Sequence, residues 1–272
     1  MELCALFGVS SSGYYAWRNR KPGKRAEANL ELARKIRQVH QASRKTYGSS
    51  RITPALRAQG IRCGRKRVAR LMRENGLRGA QKARFRPRTT DSRHRLPISP
   101  NRLKSLPNLD RLNQVWVSDI TYIPTLEGWM YLAAFLDLRS RKIKGWALRD
   151  HMKSELVEDA FLQAVFRDRS APGLIVHSDR GSQYAGHRFQ SLLQGHRALG
   201  SMSGKGNCYD NAAMESFWAT LKTELAITKP FPTKQEARLA IFDYIETFYN
   251  RVRIHSSLEY RSPLDFEALC SA

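Results

Sequence analysis

Closely spaced cysteines are missing from this sequence. The four cysteines lie far apart, and no CxxC pair occurs among them. The seven histidines do not complete the Cys/His spacing of a structural zinc site. These absences exclude a disulfide framework and a zinc module, and they predict free thiols in a reducing compartment. The thiols are Cys4, Cys63, Cys208 and Cys270.

Long hydrophobic runs are also missing. No apolar segment approaches the roughly 18 residues that a membrane-spanning helix needs. The apolar stretch at residues 3–9 is too short for the core of a signal peptide, and the acidic Glu2 precedes it. The sequence therefore predicts a soluble protein that stays in the cytosol.

Acidic residues are scarce in the first part of the chain. Residues 1–110 contain 27 Lys and Arg but only 6 Asp and Glu, a net charge of 27 − 6 = +21. Residues 111–272 contain 20 basic and 18 acidic residues, a net charge of +2. Such a division favours a polyanion-binding segment joined to an ordinary globular domain. Nucleic acid is the leading partner, an anionic membrane surface is the second candidate, and a solvated basic face is the third.

The basic segment contains enough helical pattern to fold. Residues 1–20 are predicted to form two short helices around a turn, with Ser11 as the cap of the second, and another helix is expected from Ala26 to Gln41. Thr53 and Pro54 are typical of a helix start, with Thr as the cap and Pro in the first turn.

A second helix is predicted from Arg65 to Asn75, after a turn at residues 61–64. Lys66, Arg70 and Arg73 lie on one face of it, at spacings of four and three residues. A short helix, a tight turn and a cationic second helix indicate a helix-turn-helix-like DNA-binding module. A helical hairpin with a solvated basic face is the alternative.

A linker rich in arginine and proline follows. It has no apolar periodicity, which is typical of a segment that follows a phosphate backbone and becomes ordered on binding. Its cations include Arg84, Arg86, Arg88, Arg93 and Arg95.

The remaining sequence changes to a strand and helix pattern. Three consecutive strands separated by short turns predict an antiparallel meander, and a fourth short strand comes after a helix. Residues 200–206 are expected to form a flexible loop, and a helix over 234–250 is expected to be the last. This order predicts an α/β layered fold with a mixed sheet. The strands are expected at 115–123, 129–138, 142–148 and 174–177, and the other helices at 153–169, 187–194 and 212–225.

Three acidic residues occupy unusual positions in this pattern. Asp119 lies inside the first strand, Asp179 follows the fourth, and Glu215 lies in the first turn of the helix that begins near Ala212. Carboxylates inside buried elements are costly unless they are paired or bind a metal. If the first and fourth strands are neighbours, the three carboxylates converge in an arrangement that suits two Mg²⁺ ions, with Mn²⁺ as an alternative. A solvated surface charge remains the alternative for each of them.

Cationic residues flank these acids. Arg180 directly follows Asp179, and Lys222 lies two helical turns after Glu215 on the same face, where it can meet a phosphate group. Lys205 belongs to the Gly- and Ser-rich loop 203–210, which is either a flap that orders on DNA or a simple connection.

The segments WVSDITYI, HSDRGSQY and NAAMESFWATLKTE resemble the catalytic core of the D…D…(35)…E transposases and retroviral integrases. Thirty-five residues separate Asp179 and Glu215, since 215 − 179 − 1 = 35. The segments TYGSSRITPAL and GRKRVARLMRENGLRG are similar to the second-frame (OrfB) protein of the IS-three insertion-sequence family. So is the C-terminal set of Tyr249, Asn250, Arg251, His255, Leu258, Ser262 and Pro263.

This resemblance implies an RNase H-like catalytic core in which Asp119, Asp179 and Glu215 bind the metal ions and Lys222 is the basic residue of the acidic helix. It implies strand cleavage and strand transfer, in which water and then a 3′-hydroxyl attack a phosphodiester without a covalent protein intermediate. The expected partners are the DNA of the element ends and target, a first-frame (OrfA) protein and further copies of the chain. In this family the complete transposase is often a fusion of both frames, so the chain is expected to lack some terminal-repeat recognition.

The full prediction is therefore an α/β protein with an RNase H-like core, namely a mixed five-stranded sheet with flanking helices, preceded by an all-α basic module. Two rivals remain open at this point: an RNase H-type nuclease without joining activity, and a non-catalytic DNA-binding protein. The expected domains are an N-terminal helical segment (1–25), a helix-turn-helix-like module (26–80), a basic linker (81–110), the catalytic core (111–228) and a C-terminal helical extension (229–272).

Overall fold

The chain forms two compact units, Met1–Gly79 and Ala80–Ala272. The predicted cations of the linker between residues 82 and 95, and Lys205, lie outside the described residues. No helix among the described residues is long and apolar enough to cross a membrane. The computed structural model describes residues 4, 6–19, 23–81, 96–106, 108–168, 172–204 and 211–271.

The first unit is helical, as predicted. Its core consists of fully buried aliphatic side chains from three of the helices, among them Ile36, Ile52 and Val68. Gly60 and Gly76 adopt positive φ angles of 79° and 66°, the left-handed conformation that ends a helix. The helices are α1 (Ser11–Arg18), α2 (Lys24–Ala42), α3 (Ser49–Ala58) and α4 (Arg65–Glu74).

Two predicted helix starts in this unit are wrong. The cap of α1 is Ser10, not Ser11, because the Ser10 hydroxyl accepts the hydrogen bond from the backbone N–H of Gly13. Helix α3 begins at Ser49, so Pro54 lies inside the helix. The buried side chains of Ile52 and Leu56 outweigh the hydrogen bond that a proline removes from a helix interior.

The second unit is built on a five-stranded mixed sheet in the order β3-β2-β1-β4-β5. Strands β1, β2 and β3 form the predicted antiparallel meander, and β4 pairs in parallel with β1. This order is the RNase H-like topology. The strands are β1 (Val115–Thr125), β2 (Gly128–Asp137), β3 (Ile143–Arg149), β4 (Ile175–Ser178) and β5 (Leu199–Met202).

The predicted flexible loop at 200–206 is partly a strand. Residues Leu199–Met202 form β5, which pairs in parallel with β4. A short segment with small side chains has little strand pattern of its own. Backbone pairing with β4 stabilises this segment as a strand. The backbone N–H of Arg102 donates to the Ser201 hydroxyl, and the Arg102 side-chain Nε donates to the carbonyl oxygen of Gly200, so Arg102 contacts this edge strand.

Helices pack on the sheet around one large hydrophobic core. Helix α5 (Ser154–Asp168) contacts β2 and β3, and it passes so close to Gly145 that an added Cβ would lie 2.2 Å from the carbonyl oxygen of Ala160. Trp116, Phe135 and Phe161 lie in this core at no exposure. The remaining helices are α6 (Ser182–Ala185), α7 (His187–Gly195), α8 (Ala212–Glu224), α9 (Lys234–Phe242) and α10 (Pro263–Cys270).

The C-terminal extension differs from its prediction. Helix α9 continues as a π-helical segment, Asp243–Tyr249, and the later helix α10 shows that the predicted last helix is not the last. The Ser262 hydroxyl caps α10, with Pro263 in the first turn. The buried Asn250 side chain exchanges two hydrogen bonds with the backbone of Ile143 and so attaches this extension to β3.

Candidate active site

The site begins where β1 and β4 separate. The two strands pair only from Val115 to Val117 and from Ile175 to His177. Asp119 and Asp179 each lie two residues beyond the last pair, so the adjacency on which their predicted convergence depended is present. The charge of Asp179 contributes to a raised pKa of Asp119, as expected for two carboxylates that lie near each other.

The pKa of the Asp119 carboxyl group is strongly raised. Burial and the neighbouring charge of Asp179 raise its pKa to about 7. Hydrogen bonds from the Ile120 backbone N–H and the Trp218 indole N–H oppose this shift, and the charge of Glu215 adds a smaller increase. At neutral pH a large fraction of Asp119 is therefore protonated unless a cation compensates the negative charge.

Asp179 is held by the turn that follows β4. Its Oδ1 atom accepts a hydrogen bond of 2.9 Å from the backbone N–H of Gly181. The adjacent Arg180 donates from Nε to the carbonyl oxygen of Ser203 at 2.8 Å. The predicted cation Arg180 therefore joins the end of β4 to the segment that follows β5.

Glu215 lies in the first turn of α8, as predicted, and α8 contacts β1. Its charge acts on Asp119 more weakly than that of Asp179 does. Among the described residues, no three His, Cys, Asp or Glu side chains form a group that could hold a metal ion. Asp119 and Asp179 are thus a close pair, and Glu215 stands near them without completing a three-ligand group.

Lys222 is also at this site. Burial lowers the pKa of its ammonium group, and the charge of Asp119 opposes that shift. Lys222 therefore lies near Asp119. The sequence predicted that Lys222 shares a face of this helix with Glu215.

Buried hydroxyl and imidazole groups surround the acids, and two of them, Tyr184 and His177, belong to the segment HSDRGSQY around Asp179. The Tyr184 and Ser118 hydroxyls lie 2.9 Å apart in a buried hydrogen bond. Burial and the charges of Asp119 and Asp179 raise the pKa of Tyr184 well above its ordinary value, so this phenol stays protonated. No periodicity marks such residues, although Tyr184 belongs to the polar segment that follows Asp179.

His177 links two strands beneath the site. Its ring nitrogens lie 2.8 Å from the Ser201 hydroxyl and 3.0 Å from the Ser203 hydroxyl. Because His177 is fully buried, these contacts satisfy both ring nitrogens and hold β5 against the end of β4.

The far end of α8 is held by a buried ion pair. Arg253 and Glu224 are 4% and 5% exposed, and the Arg253 Nη2 atom lies 2.9 Å from Glu224 Oε1. Tyr244 donates a hydrogen bond of 2.8 Å to Glu224 Oε2. The C-terminal extension therefore fixes the helix that carries Glu215 and Lys222.

The helical unit contains the other predicted cations. Lys66, Arg70 and Arg73 are exposed on α4, while Val68, Leu71 and Met72 are buried on its other side. Arg70 makes an exposed ion pair with Glu74 at 2.7 Å. Such a surface pair is weak and leaves the cationic face available to a polyanion.

Three family comparisons match successive parts of the chain. The HTH-like domain matches residues 26–85, and two integrase core domain families match residues 110–208 and 197–263.

Curated relatives match nearly the whole chain. The IS600 insertion element 31 kDa protein of Shigella sonnei is 45% identical, with 97% of each chain covered. The transposase for insertion sequence element IS904 of Lactococcus lactis subsp. lactis (strain IL1403) is 45% identical over 92% of this chain and 98% of its own. Transposase InsF for insertion sequence IS3A of Escherichia coli (strain K12) is 39% identical over 97% of this chain and 92% of its own.

A solved structure of the HTLV-2 integrase catalytic core domain in complex with magnesium is similar with a TM-score of 0.44. Its identity is 16%, and 57% of this chain and 95% of that chain are covered.

Proposed function

The chain belongs to the IS3 family of DDE-type DNA transposases, and on that premise we propose which of its residues cut and join DNA. Asp119, Asp179 and Glu215 are the proposed catalytic carboxylates. The observation that carries this assignment is the position of Asp119 and Asp179, each two residues beyond the point where β1 and β4 stop pairing. Carboxylates in such an arrangement are stabilised when a cation binds between them.

The donor set fits a divalent cation. The Asp119 and Asp179 carboxylates offer hard oxygen ligands, and Glu215 reaches the same region from α8. We propose that these three residues hold two Mg²⁺ ions, with Mn²⁺ as a substitute, and that DNA phosphate oxygens complete the ligand sets. When bound, the ions supply Lewis-acid activation of the attacking oxygen and stabilisation of the leaving oxygen.

The proposed reaction has two parts. A water oxygen attacks a phosphodiester at the element end, the bond from phosphorus to the 3′ oxygen breaks, and a free 3′-hydroxyl results. That hydroxyl oxygen then attacks a phosphodiester of the target, and the target's own 3′ oxygen leaves. Each step exchanges one P–O bond for another, so no covalent protein intermediate is needed.

Cationic residues are proposed to hold the DNA. Lys222 faces the carboxylates from α8, where its ammonium group can meet a phosphate. Arg180 lies beside Asp179, and Lys205 is expected to act from the loop before α8. On α4, the proposed phosphate contacts are Lys66, Arg70 and Arg73.

We also propose protein partners, namely a first-frame protein and further copies of this chain on DNA. Exposed apolar side chains in the N-terminal segment support this proposal. Leu6, Phe7 and Trp17 are 77%, 74% and 71% exposed, and such side chains are typical of surfaces that another chain covers.

Substitution of the carboxylates tests the central assignment. Asp119→Asn, Asp179→Asn and Glu215→Gln each keep the side-chain size but remove a charged ligand. Each variant should lose strand cleavage by at least about 100-fold, because even residues that only support metal ligands contribute about 10–100-fold. DNA binding, measured by a mobility shift on labelled element ends, should be largely retained. If two of the three variants kept their cleavage activity, the assignment would be wrong.

A further inference from the structure

One face of α8, with its N-cap, carries several residues that interact with Asp119 or its neighbour Ser118. Asn211, Glu215, Trp218 and Lys222 recur at spacings of four, three and four residues, which places them on one side of the helix. The Asn211 side chain donates to the carbonyl oxygen of Ser118 at 3.4 Å. Glu215 and Lys222 act on Asp119 through their charges. The proposed function uses Glu215 and Lys222 but gives Trp218 no role.

Trp218 makes the direct contact between this face and the carboxylate. Its indole Nε1 donates a hydrogen bond of 3.1 Å to Oδ2 of Asp119. The side chain is 6% exposed, and its ring lies 4.8 Å from that of Phe217, which in turn packs edge-on against Tyr249 at 4.8 Å. The aromatic contacts therefore fix the position from which the indole donates.

The second oxygen of Asp119 is held independently. Its Oδ1 atom accepts a hydrogen bond of 2.8 Å from the backbone N–H of Ile120. One donor on each oxygen defines the plane of the carboxylate. A carboxylate oxygen has two lone-pair sites, so each oxygen keeps one for a further ligand.

We infer that Trp218 is a positioning residue, whose indole N–H orients the Asp119 carboxylate for cation binding. The inference rests on the proposed function, because it assigns Trp218 a role toward a proposed metal ligand. Residues that hydrogen-bond a metal ligand fix its orientation, and their loss typically weakens metal binding by about 10–100-fold.

Trp116 provides a matched control on the same strand. Its indole donates a hydrogen bond of the same length, 3.1 Å, to Asn113 Oδ1, and the side chain is fully buried. Trp116 lies three residues before Asp119, on the opposite face of β1, in the core with Phe161. Trp116→Phe and Trp218→Phe therefore each remove one indole hydrogen bond and keep an aromatic ring, but only the second touches Asp119.

Mn²⁺ binding to the full chain without DNA tests the inference. The free ion is measured by electron paramagnetic resonance for wild type, Trp218→Phe, Trp116→Phe and Asp119→Asn. Trp218→Phe should weaken Mn²⁺ binding by about 10-fold or more, and Trp116→Phe by less than about 2-fold. The Mg²⁺ concentration for half-maximal cleavage should rise in Trp218→Phe alone. Wild-type Mn²⁺ affinity in Trp218→Phe would overturn the inference.

Asp119→Asn separates this inference from the proposed function. If Asp119→Asn weakens Mn²⁺ binding and Trp218→Phe does not, the carboxylate assignment stands and the role of Trp218 is wrong. If Asp119→Asn binds Mn²⁺ as wild type does, the proposed metal site itself is wrong, and the role of Trp218 fails with it.

A measurement on Asp119→Asn decides the matter if Trp218→Phe does not fold. The ¹⁵N-labelled chain contains five indole N–H groups, and Phe substitutions at Trp17, Trp116, Trp129 and Trp146 assign the Trp218 signal by elimination. Asp119→Asn, compared with wild type, should shift the Trp218 indole resonance and leave that of Trp116 in place. An unmoved Trp218 resonance would show that the hydrogen bond to Asp119 does not exist, and the inference would be overturned.

Discussion

Asp119 interacts with the other groups of the proposed site through both its charge and its hydrogen bonds. Its carboxylate lies among buried groups beside a like charge, and two hydrogen bonds oppose the resulting rise of its pKa to about 7. Asp119 must lose its proton to bind a cation, but its raised pKa keeps part of it protonated when no cation is present. The same side chain should therefore influence both metal binding and the stability of the metal-free protein.

The metal-free protein should become less stable between about pH 4 and about pH 7 because of Asp119. Its native pKa, about 7, exceeds the unfolded value of 3.8, so the native state binds more protons in this range. Its contribution is fully present below the unfolded pKa and is lost as the pH rises through the native pKa. Denaturant unfolding with a chelator present, at several pH values, measures this dependence for wild type and Asp119→Asn. The stability of Asp119→Asn relative to wild type should increase with pH and level off above pH 7; a constant difference would contradict the shift.

Helix α8 carries three residues of the proposed site, and a buried ion pair holds its C-terminal end. Glu224 is almost fully buried with Arg253, and Tyr244 supplies a further hydrogen bond. Arg253 belongs to the C-terminal extension, so this extension stabilises the helix that carries Glu215, Trp218 and Lys222.

Removal of Arg253 should therefore destabilise the catalytic unit. Arg253→Ala removes the ion-pair partner of the buried Glu224 carboxylate, and breaking one partner of a buried pair typically costs about 3–5 kcal/mol. Arg261→Ala is the control, because its pair with Glu259 is exposed and such pairs contribute less than about 1 kcal/mol. The free energy of unfolding, measured with a chemical denaturant, distinguishes the two. Equal losses in both variants would contradict a structural role for the buried pair.

Most strands of the sheet follow from the sequence pattern, but one strand and one helix start do not. Strands β1 to β4 were predictable because their β-branched and aromatic residues make runs that turns separate, and the order of strands allowed β1 and β4 to be neighbours. Strand β5 was not predictable, because Leu199–Met202 contains Gly200 and owes its conformation to β4 and Arg102. The start of α3 was misplaced because a local cap pattern was overridden by the burial of Ile52.

Some residues of the candidate site also follow from the sequence pattern, and others do not. The places of Asp119, Asp179, Glu215 and Lys222 in or after their strands and helix were predictable from the sequence pattern, and their roles stay predictions. Trp218 was not predictable, because its hydrogen bond to Asp119 joins residues 99 positions apart and depends on how α8 rotates against β1.

Over the whole molecule, the positive charge is concentrated in the first 110 residues, which comprise the helical unit and the linker. The first 110 residues carry a net charge of +21 and the rest carry +2, while the carboxylates lie in the second part. On the proposed function, the basic residues 1–110 supply most of the DNA affinity, and the nearly neutral residues 111–272 carry out the chemistry.

Loss of the α4 cations should therefore reduce the salt dependence of DNA binding. A variant with Lys66, Arg70 and Arg73 all replaced by Gln should lower the slope of log K against log salt by about 3, since each phosphate contact contributes about 0.9. A control with Lys24, Arg25 and Arg34 of α2 replaced by Gln removes the same charge from exposed positions. Binding isotherms at several salt concentrations measure both. An equal change in the two variants would contradict a DNA-contacting face on α4.

The most direct test of the central claim is a cleavage and strand-transfer assay on labelled DNA carrying the cognate element ends. The assay contains Mg²⁺ and compares wild type with Glu215→Gln, with the first-frame protein added in parallel reactions. Wild type should yield cleaved and joined products, and Glu215→Gln should bind the same DNA and yield neither. Joined products from Glu215→Gln at the wild-type level would contradict the account.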